Sequence, residues 1–163
     1  MKKYDIGYTC GVFDMFHVGH LNLLERCKTM CRFLIVGVCD DEYIRNVKRT
    51  EPVIPQDDRV RILKALRCVD DAVLVDTQTT NDKMLALKKF RFNVLFSGDD
   101  WKGTERYRKT EEQFREYAKM LTGGGHCNRV STLHAWYQHY SSQGKTKGLP
   151  KNISSCVIIS CRR

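Results

Sequence analysis

Short apolar segments alternate with amphipathic segments along most of the chain, and this alternation constrains the fold more than any other feature of the sequence. The apolar segments predict strands over residues 4–10, 33–39, 72–75 and 93–97. Apolar residues at helical spacing predict helices over 18–30, from Asp57 or Asp58 onward, over 81–90 and around 114–121. Strands that alternate with helices form a parallel sheet with helices on both faces, so we predict an α/β fold.

The turn after the first predicted strand carries the residues best suited to chemistry. In a parallel α/β sheet, ligands bind at the carboxyl ends of the strands, where the winding reverses. His17 and His20 open the next predicted helix, and their i, i+3 spacing points both side chains in one direction. A helix N-terminus attracts phosphate, and two imidazoles can donate hydrogen bonds to phosphate oxygens there. Gly11 and Gly19 let the backbone approach a triphosphate, which favours a phosphate site over a merely polar helix start.

The run Gly11-Val-Phe-Asp-Met-Phe-His-Val-Gly-His20 resembles the signature of the HxGH nucleotidyltransferase superfamily. Within that superfamily, residues 11–28 resemble the glycerol-3-phosphate cytidylyltransferases most closely. Three further stretches agree with that family: Asp58-Arg59, Leu66-Arg-Cys-Val-Asp-Asp71 and Phe96-Ser-Gly-Asp-Asp-Trp101. The resemblance covers residues 1–122 and implies a Rossmann-like nucleotidyltransferase fold. It also implies a reaction in which CTP and glycerol 3-phosphate give CDP-glycerol and pyrophosphate.

The resemblance further implies a role for individual residues. His17 and His20 would steady the phosphates, with Lys48 as a third catalytic residue. The residues implied to bind the nucleotide are Gly11, Val12, Phe13, Gly19, Arg67, Asp100 and Trp101. Asp14 and Arg49 would bind the acceptor substrate. The acceptor oxygen attacks the α-phosphorus directly, and Mg²⁺ would accompany the triphosphate and neutralise part of its charge.

Several of these positions also have a structural explanation. Lys48 and Arg49 lie in a polar, basic loop predicted over residues 40–55, where they can be solvated charges. Arg67 follows a helix, where a cation suits the helix dipole. Trp101 follows a predicted strand and can be a packing residue. These alternatives stay open at the level of sequence.

The net charge of +9 does not indicate a nucleic-acid-binding face. Residues 1–122 contain 22 Lys and Arg and 19 Asp and Glu, a net charge of +3. Residues 123–163 contain 6 Lys and Arg and no acidic residue, a net charge of +6. Because the excess charge belongs to the tail, we predict no nucleic-acid partner.

Other features of the sequence set the expected location and partners. No apolar run approaches the roughly 20 residues that cross a bilayer, and the start lacks the apolar region of a secretory signal. We therefore expect a cytoplasmic protein without membrane insertion. The 8 cysteines lack the spacing of a metal site, so no metal ligands are predicted in the protein itself. The resemblance implies a homodimer, in which Asp70 is a candidate contact.

The resemblance stops at the end of the predicted fourth helix. The family's second phosphate-binding element, a Gly-Ile-Ser-Thr-Thr run, is missing from the chain as written. When residues 136–141 are back-translated and read one nucleotide later, the codons permit Gly-Ile-Ser-Thr-Thr. Three glycine codons at 123–125 can form a run of G, which is a slippage site. We therefore predict a frameshift near these glycines, with a naturally divergent tail as the alternative.

This prediction divides the chain in two. Residues 1–122 form a cytidylyltransferase-like, nucleotide-binding catalytic domain, and residues 123–163 form an atypical, frameshifted and poorly ordered tail. Loss of the Gly-Ile-Ser-Thr-Thr element would impair activity. Two alternatives remain for the function. One is a cytidylyl- or adenylyltransferase acting on another phosphorylated alcohol, such as phosphocholine or phosphoethanolamine, and the other is a catalytically inactive nucleotide-binding remnant.

Overall fold

A computed structural model describes residues 2–98, 104–121 and 157–161. The strands are β1 (Tyr4–Gly11), β2 (Cys31–Cys39), β3 (Asp71–Val75), β4 (Val94–Gly98) and β5 (Val157–Cys161). The helices are α1 (Val18–Met30), α2 (Asp41–Tyr43), α3 (Gln56–Lys64), α4 (Thr77–Asn81), α5 (Lys83–Phe90) and α6 (Glu105–Leu121). A π-helical turn, Ile44–Lys48, continues directly from α2.

The strands form one sheet in the order β3-β2-β1-β4-β5, and every neighbouring pair is parallel. The chain winds from β1 outward through β2 to β3 and then returns to place β4 on the other side of β1. This reversal creates a crevice at the carboxyl ends of β1 and β4, which is where ligands bind in such sheets. Thr9 is in register with Phe96, so the two strands end side by side. The predicted α/β fold with a parallel sheet is confirmed.

Helices cover both faces of the sheet. On one face, Leu24 of α1 and Leu63 of α3 are fully buried in the first apolar cluster. On the other face, Ala86 of α5 and Phe114 of α6 are buried in a second cluster around the fully buried Tyr8. Burial of each large apolar side chain contributes about 1.5–3 kcal/mol, so the two clusters hold the helices against the sheet. Within the described ranges, no helix combines the length and the apolar character needed to cross a membrane.

The helix limits agree with the periodicity of the sequence in some places and differ in others. α1 has the predicted limits, Val18–Met30. The predicted loop over 40–55 was wrong in its first half, because the Asp40 carboxylate accepts the N–H of Tyr43 at 2.7 Å and starts α2. The expected cap of α3 was also wrong. Pro55 is the N-cap, and both expected caps, Asp57 and Asp58, lie in the first turn, where carboxylates favour the helix dipole.

One strand of the sheet was not predicted from the sequence. No strand was predicted in residues 123–163, yet β5 lies there and pairs with β4 from Val94–Val157 to Gly98–Cys161. Residues 122–156 and 162–163 lie outside the described residues. The boundary at residue 122 and the frameshift stay predictions.

Candidate active site

The two histidines of the signature lie together at the start of α1. His17 is the N-cap, in extended conformation, and its Nδ1 accepts a hydrogen bond from the backbone N–H of Gly19 at 3.0 Å. The rings of His17 and His20 stack with centroids 4.0 Å apart. Because Nδ1 of His17 is an acceptor, the proton of the neutral ring lies on Nε2, which becomes a donor. The His17 side chain therefore both caps the helix and offers an N–H at its phosphate-attracting end.

Gly19 is required by the close approach of the His17 ring. A Cβ placed on Gly19 would lie 2.8 Å from Cε1 and 2.9 Å from Nδ1 of His17, closer than van der Waals contact allows. The short spacing of the signature thus has a packing reason. Only glycine leaves room for the capping imidazole.

We expect Gly19→Ala to weaken nucleotide binding about tenfold, because the new methyl group displaces the His17 ring from its capping position. Global stability should change little, because alanine favours the helix interior more than glycine does. Calorimetric titration with CTP and thermal unfolding measure the two effects. Asn22→Ala, at an exposed position on the same helix, is the matched control. Unchanged CTP affinity in Gly19→Ala would contradict this role for the glycine.

The turn between β1 and α1 contains left-handed backbone at two residues that are not glycine. Phe13 has φ 54° and Met15 has φ 46°. Such conformations cost energy and persist only where the surroundings hold them. The Phe13 ring is buried, and its edge lies against the His20 ring with centroids 5.4 Å apart. The strained backbone therefore places an aromatic support behind the second histidine.

Asp14 holds this turn against the segment before α3. Its carboxylate accepts the backbone N–H groups of Val53 at 2.8 Å and Ile54 at 2.9 Å. It also accepts the N–H of Met15 at 2.9 Å. Burial raises the pKa of Asp14, but these three donors and the charge of Arg59 outweigh it, so the pKa lies below its ordinary value of 3.8. In this structure the Asp14 carboxylate ties two segments together, and its predicted contact with the acceptor stays untested.

We expect Asp14→Asn to lower the free energy of unfolding by about 1–2 kcal/mol at neutral pH, because the amide keeps only one acceptor oxygen. Since the folded pKa of Asp14 is depressed, its contribution is complete above the ordinary pKa of 3.8 and is lost as pH falls through the folded pKa. Urea unfolding of both proteins at several pH values measures this difference. Asp58→Asn, which removes an exposed carboxylate, is the control. If the difference in free energy of unfolding between the two proteins stayed constant through the acid range, this role of the Asp14 carboxylate would be contradicted.

Arg59 joins four segments at the same end of the sheet, and the side chain is fully buried. Its Nη1 donates to the carbonyl oxygens of Val12 at 2.6 Å and Cys39 at 2.9 Å, which follow β1 and end β2. Its Nε donates to the carbonyl of Ile54 at 2.9 Å. Its Nη2 contacts Asp41 Oδ1 at 2.5 Å. A planar guanidinium is the side chain that can satisfy several fixed acceptors at once.

At the level of sequence, Arg59 was only part of a family-like stretch and had no predicted role. An arginine in the first turn of a polar helix ordinarily faces solvent. Its burial follows from the meeting of these segments in the fold, which no local sequence pattern reveals. The one available signal was the family resemblance around Asp58-Arg59, and it did not indicate which groups Arg59 contacts.

The matched family agrees with this architecture. The sequence pattern of the family described as cytidylyltransferase-like matches residues 8–159, which is most of the chain. The chain belongs to the cytidylyltransferase-like family. The wider resemblance to the nucleotidyltransferases is thereby confirmed.

Individual relatives of this cytidylyltransferase-like protein carry other names. A FAD synthase from Thermococcus kodakarensis is 41% identical over 90 residues, which are 55% of this chain and 59% of that protein. A bifunctional protein HldE from Acidiphilium cryptum is 37% identical over 101 residues, which are 61% of this chain and 20% of that protein. The matched region thus spans less than two thirds of these relatives. The narrower resemblance to glycerol-3-phosphate cytidylyltransferases is not reproduced in these names.

A solved structure supports the fold. The crystal structure of a lipopolysaccharide core biosynthesis protein from Thermoplasma volcanium aligns with a TM-score of 0.61. The alignment covers 70% of this chain and 88% of that chain, at 24% sequence identity. At this identity the likeness shows a shared fold and nothing about substrate.

The predicted site residues of this cytidylyltransferase-like protein fall into three groups. Those brought together at the turn after β1 are Gly11, Val12, Phe13, Asp14, His17, Gly19 and His20. Lys48 and Arg49 lie at the end of the π-helical turn, exposed, and within the described ranges neither side chain forms an ion pair. Asp100 and Trp101 lie outside the described residues.

Arg67 lies toward the amino ends of the strands, whereas the turn that carries His17 lies at their carboxyl ends. It is exposed and follows α3, four residues before β3 begins. Nearby, the Asp70 carboxylate accepts hydrogen bonds from the ammonium group of Lys28 and from the backbone N–H of Leu34, the latter at 2.6 Å. Leu34 precedes Cys39 by five residues, about 16 Å along a strand. Within one chain, Arg67 is therefore not part of the cluster around His17, and both its nucleotide contact and an Asp70 dimer contact stay predictions.

Proposed function

We propose that this chain transfers CMP from CTP to glycerol 3-phosphate, giving CDP-glycerol and pyrophosphate. The observation that carries a nucleotidyl transfer is the stacked pair of His17 and His20 at the N-terminus of α1, beside the carboxyl end of β1. The positive end of the helix dipole and two imidazoles converge there, an arrangement that suits polyphosphate. The choice of CTP and glycerol 3-phosphate rests on the resemblance of residues 11–28 to the glycerol-3-phosphate cytidylyltransferases.

In the proposed mechanism, a phosphate oxygen of the acceptor attacks the α-phosphorus of the nucleotide and pyrophosphate leaves. No protein nucleophile is needed, so the protein acts by positioning and by stabilising charge. The Nε2–H of His17 donates to a phosphate oxygen as negative charge grows, and His20 acts beside it. Lys48 and Arg49, at the exposed end of the π-helical turn, supply further positive charge to the bound phosphates.

Mg²⁺ belongs to this proposal as the companion of the triphosphate. Within the described ranges, no cluster of three or more His, Cys, Asp or Glu side chains could hold a metal ion. The carboxylate in the turn, Asp14, already accepts three backbone N–H groups. Mg²⁺ commonly binds substrate phosphates and water with few protein ligands, so these surroundings fit an ion carried by the nucleotide. When bound, it would neutralise part of the triphosphate charge.

A second candidate function is adenylyl transfer to a flavin phosphate. It is favoured by the FAD synthase from Thermococcus kodakarensis, whose 41% identity over 90 residues exceeds that of the HldE relative. FAD contains an adenylyl group joined through pyrophosphate to a flavin, so its synthesis can use the same attack on an α-phosphorus. Phosphocholine and phosphoethanolamine remain acceptors for the cytidylyl variant. A homodimer also remains part of the proposal.

The test crosses two nucleotides with four acceptors. CTP and ATP are each incubated with glycerol 3-phosphate, phosphocholine, phosphoethanolamine or flavin mononucleotide, and products are identified by mass spectrometry. CDP-glycerol as the dominant product supports the proposal. FAD as the dominant product supports the second candidate, and CTP binding without any product indicates a nucleotide-binding remnant.

A further inference from the structure

Two cysteine thiols meet at the strand ends that support the signature turn. Cys10 is the residue before the last residue of β1, and Cys39 is the last residue of β2. Their Sγ atoms are 3.8 Å apart. Cys39 is buried, and Cys10 is partly buried. The Thr80 hydroxyl lies 3.7 Å from the Cys39 sulfur and fixes its position from α4.

The surroundings make the two thiols unequal. The hydrogen bond from the Cys39 thiol lowers the pKa of Cys10, and the charge of Lys83 adds to this effect while burial opposes it. The same hydrogen bond and burial raise the pKa of Cys39. Of the two thiols, Cys10 therefore loses its proton more readily. A thiolate beside a second thiol is the arrangement that undergoes thiol–disulfide exchange.

We propose that Cys10 and Cys39 form a reversible disulfide that displaces the nucleotide-binding turn. The oxidant is a low-molecular-weight disulfide, RSSR. The Cys10 thiolate attacks one of its sulfurs, forms the mixed disulfide Cys10–S–S–R and releases one thiolate. Cys39 then loses its proton and attacks the Cys10 sulfur, forming the intramolecular disulfide and releasing the second thiolate. The protein loses two electrons and two protons, and RSSR becomes two RSH.

The coupling to the turn follows from Arg59. Its Nη1 holds the carbonyl oxygens of Val12 and Cys39, so it bridges the same two strand ends as the thiol pair. Formation of the disulfide requires the sulfurs to approach from 3.8 Å to about 2.05 Å. Because β1 and β2 are already paired here, with Cys10 in register with Gly37, closure requires both cysteine side chains to rotate and the residues that carry them to shift. Gly11 directly follows Cys10 and opens the turn, so the movement passes into the segment that carries His17.

The other described cysteines lack this arrangement. Cys27 and Cys31 are fully buried within the first apolar cluster, where the Cys31 thiol donates to the Cys27 carbonyl at 3.3 Å. Cys68 is partly buried beside the same cluster, and burial raises its pKa. Within the described ranges, a pair of sulfurs in contact at the signature turn is found only at Cys10 and Cys39. Cys68 therefore offers a partly accessible control thiol.

The first measurement is a map of the disulfides in the full chain. The reduced protein is treated with oxidised glutathione, free thiols are alkylated, and peptides are identified by mass spectrometry. We expect a peptide pair joined through Cys10 and Cys39 that disappears after reduction with dithiothreitol. Oxidation of other cysteines with Cys10 and Cys39 both alkylated would overturn the proposal.

The second measurement is amide hydrogen exchange of residues 11–20 before and after oxidation, which does not depend on any substrate. Exchange should rise at least threefold in the wild type and in Cys68→Ser, and should not change in Cys10→Ala, which cannot form the mixed disulfide. A Cys10–Cys39 disulfide that leaves this exchange unchanged would refute the coupling.

The effect on nucleotide binding rests on the proposed function, and CTP titration measures it. At least tenfold weaker affinity after oxidation is expected. If the reduced protein binds neither CTP nor ATP, the proposed function fails, while the peptide map and hydrogen exchange still decide the present inference.

Discussion

Replacing Arg59 with methionine is expected to lower the free energy of unfolding by about 3–5 kcal/mol, the effect of breaking a buried ion pair. The Arg59 side chain is fully buried, and it donates to three carbonyl oxygens besides contacting Asp41. Methionine fills a similar volume but leaves all four acceptors without their donor. For a chain of this size, the loss corresponds to a Tm lower by roughly 10–15 °C.

Thermal and urea unfolding measure this effect, and α3 supplies its own control. Arg61 lies two residues further along the same helix with an exposed side chain, so Arg61→Met should change stability by less than about 0.5 kcal/mol. Arg59→Lys should fall between, because a single ammonium cannot reach all the acceptors. Equal stability of Arg59→Met and Arg61→Met would contradict the proposal that the hydrogen bonds of Arg59 hold these segments together.

Replacing His17 and His20 with asparagine is expected to reduce nucleotidyl transfer by about 10²–10³-fold for each single change. The reason is the loss of imidazole donors at the phosphate-attracting end of α1, where the two rings stack 4.0 Å apart. The double variant should lose less than the product of the two single losses, because neighbouring groups that act on one phosphate are not independent. Steady-state rates of pyrophosphate release measure these effects.

The stability of the histidine variants separates chemistry from folding. Asparagine is a good N-cap, so His17→Asn should unfold within a few degrees of the wild type. Val18 lies between the two histidines and is 70% exposed, so Val18→Ala should retain full activity. A His17→Asn protein that keeps its turnover would contradict the proposed role of the imidazole.

The fold was largely predictable from local patterns. The β-branched apolar run after residue 32 and the periodic Leu21, Leu24 and Cys27 identify β2 and α1 because burial on one or both faces dictates which residue types appear. The short β-branched run Val157-Ile-Ile159 was the local signal for β5, which pairs with β4 across a long sequence separation. Apolar periodicity missed α2, which begins at the capping carboxylate of Asp40, and the π-helical turn that continues from it.

The candidate site was predictable only where its residues are neighbours in sequence. His17, Gly19 and His20 belong to one turn, so their spacing already implied a shared direction. Arg59 acts through tertiary contacts, and Asp14 was expected to contact substrate although its oxygens hold backbone N–H groups. Arg67 was given a ligand role by a family-like stretch, and because the fold places it away from His17 within one chain, that role stays a prediction.

The most direct test of the central proposal is pyrophosphate release from CTP and glycerol 3-phosphate with Mg²⁺, measured side by side on this chain and on a frame-restored chain. The restored chain carries Gly-Ile-Ser-Thr-Thr in place of the residues written at 136–141. We predict rapid release by the restored chain and weak or no release by the chain as written, because the second phosphate-binding element is missing. Equal activity and equal heat stability of the two chains would contradict the frameshift. Silence of the restored chain with CTP and with ATP would contradict the proposed nucleotidyl transfer.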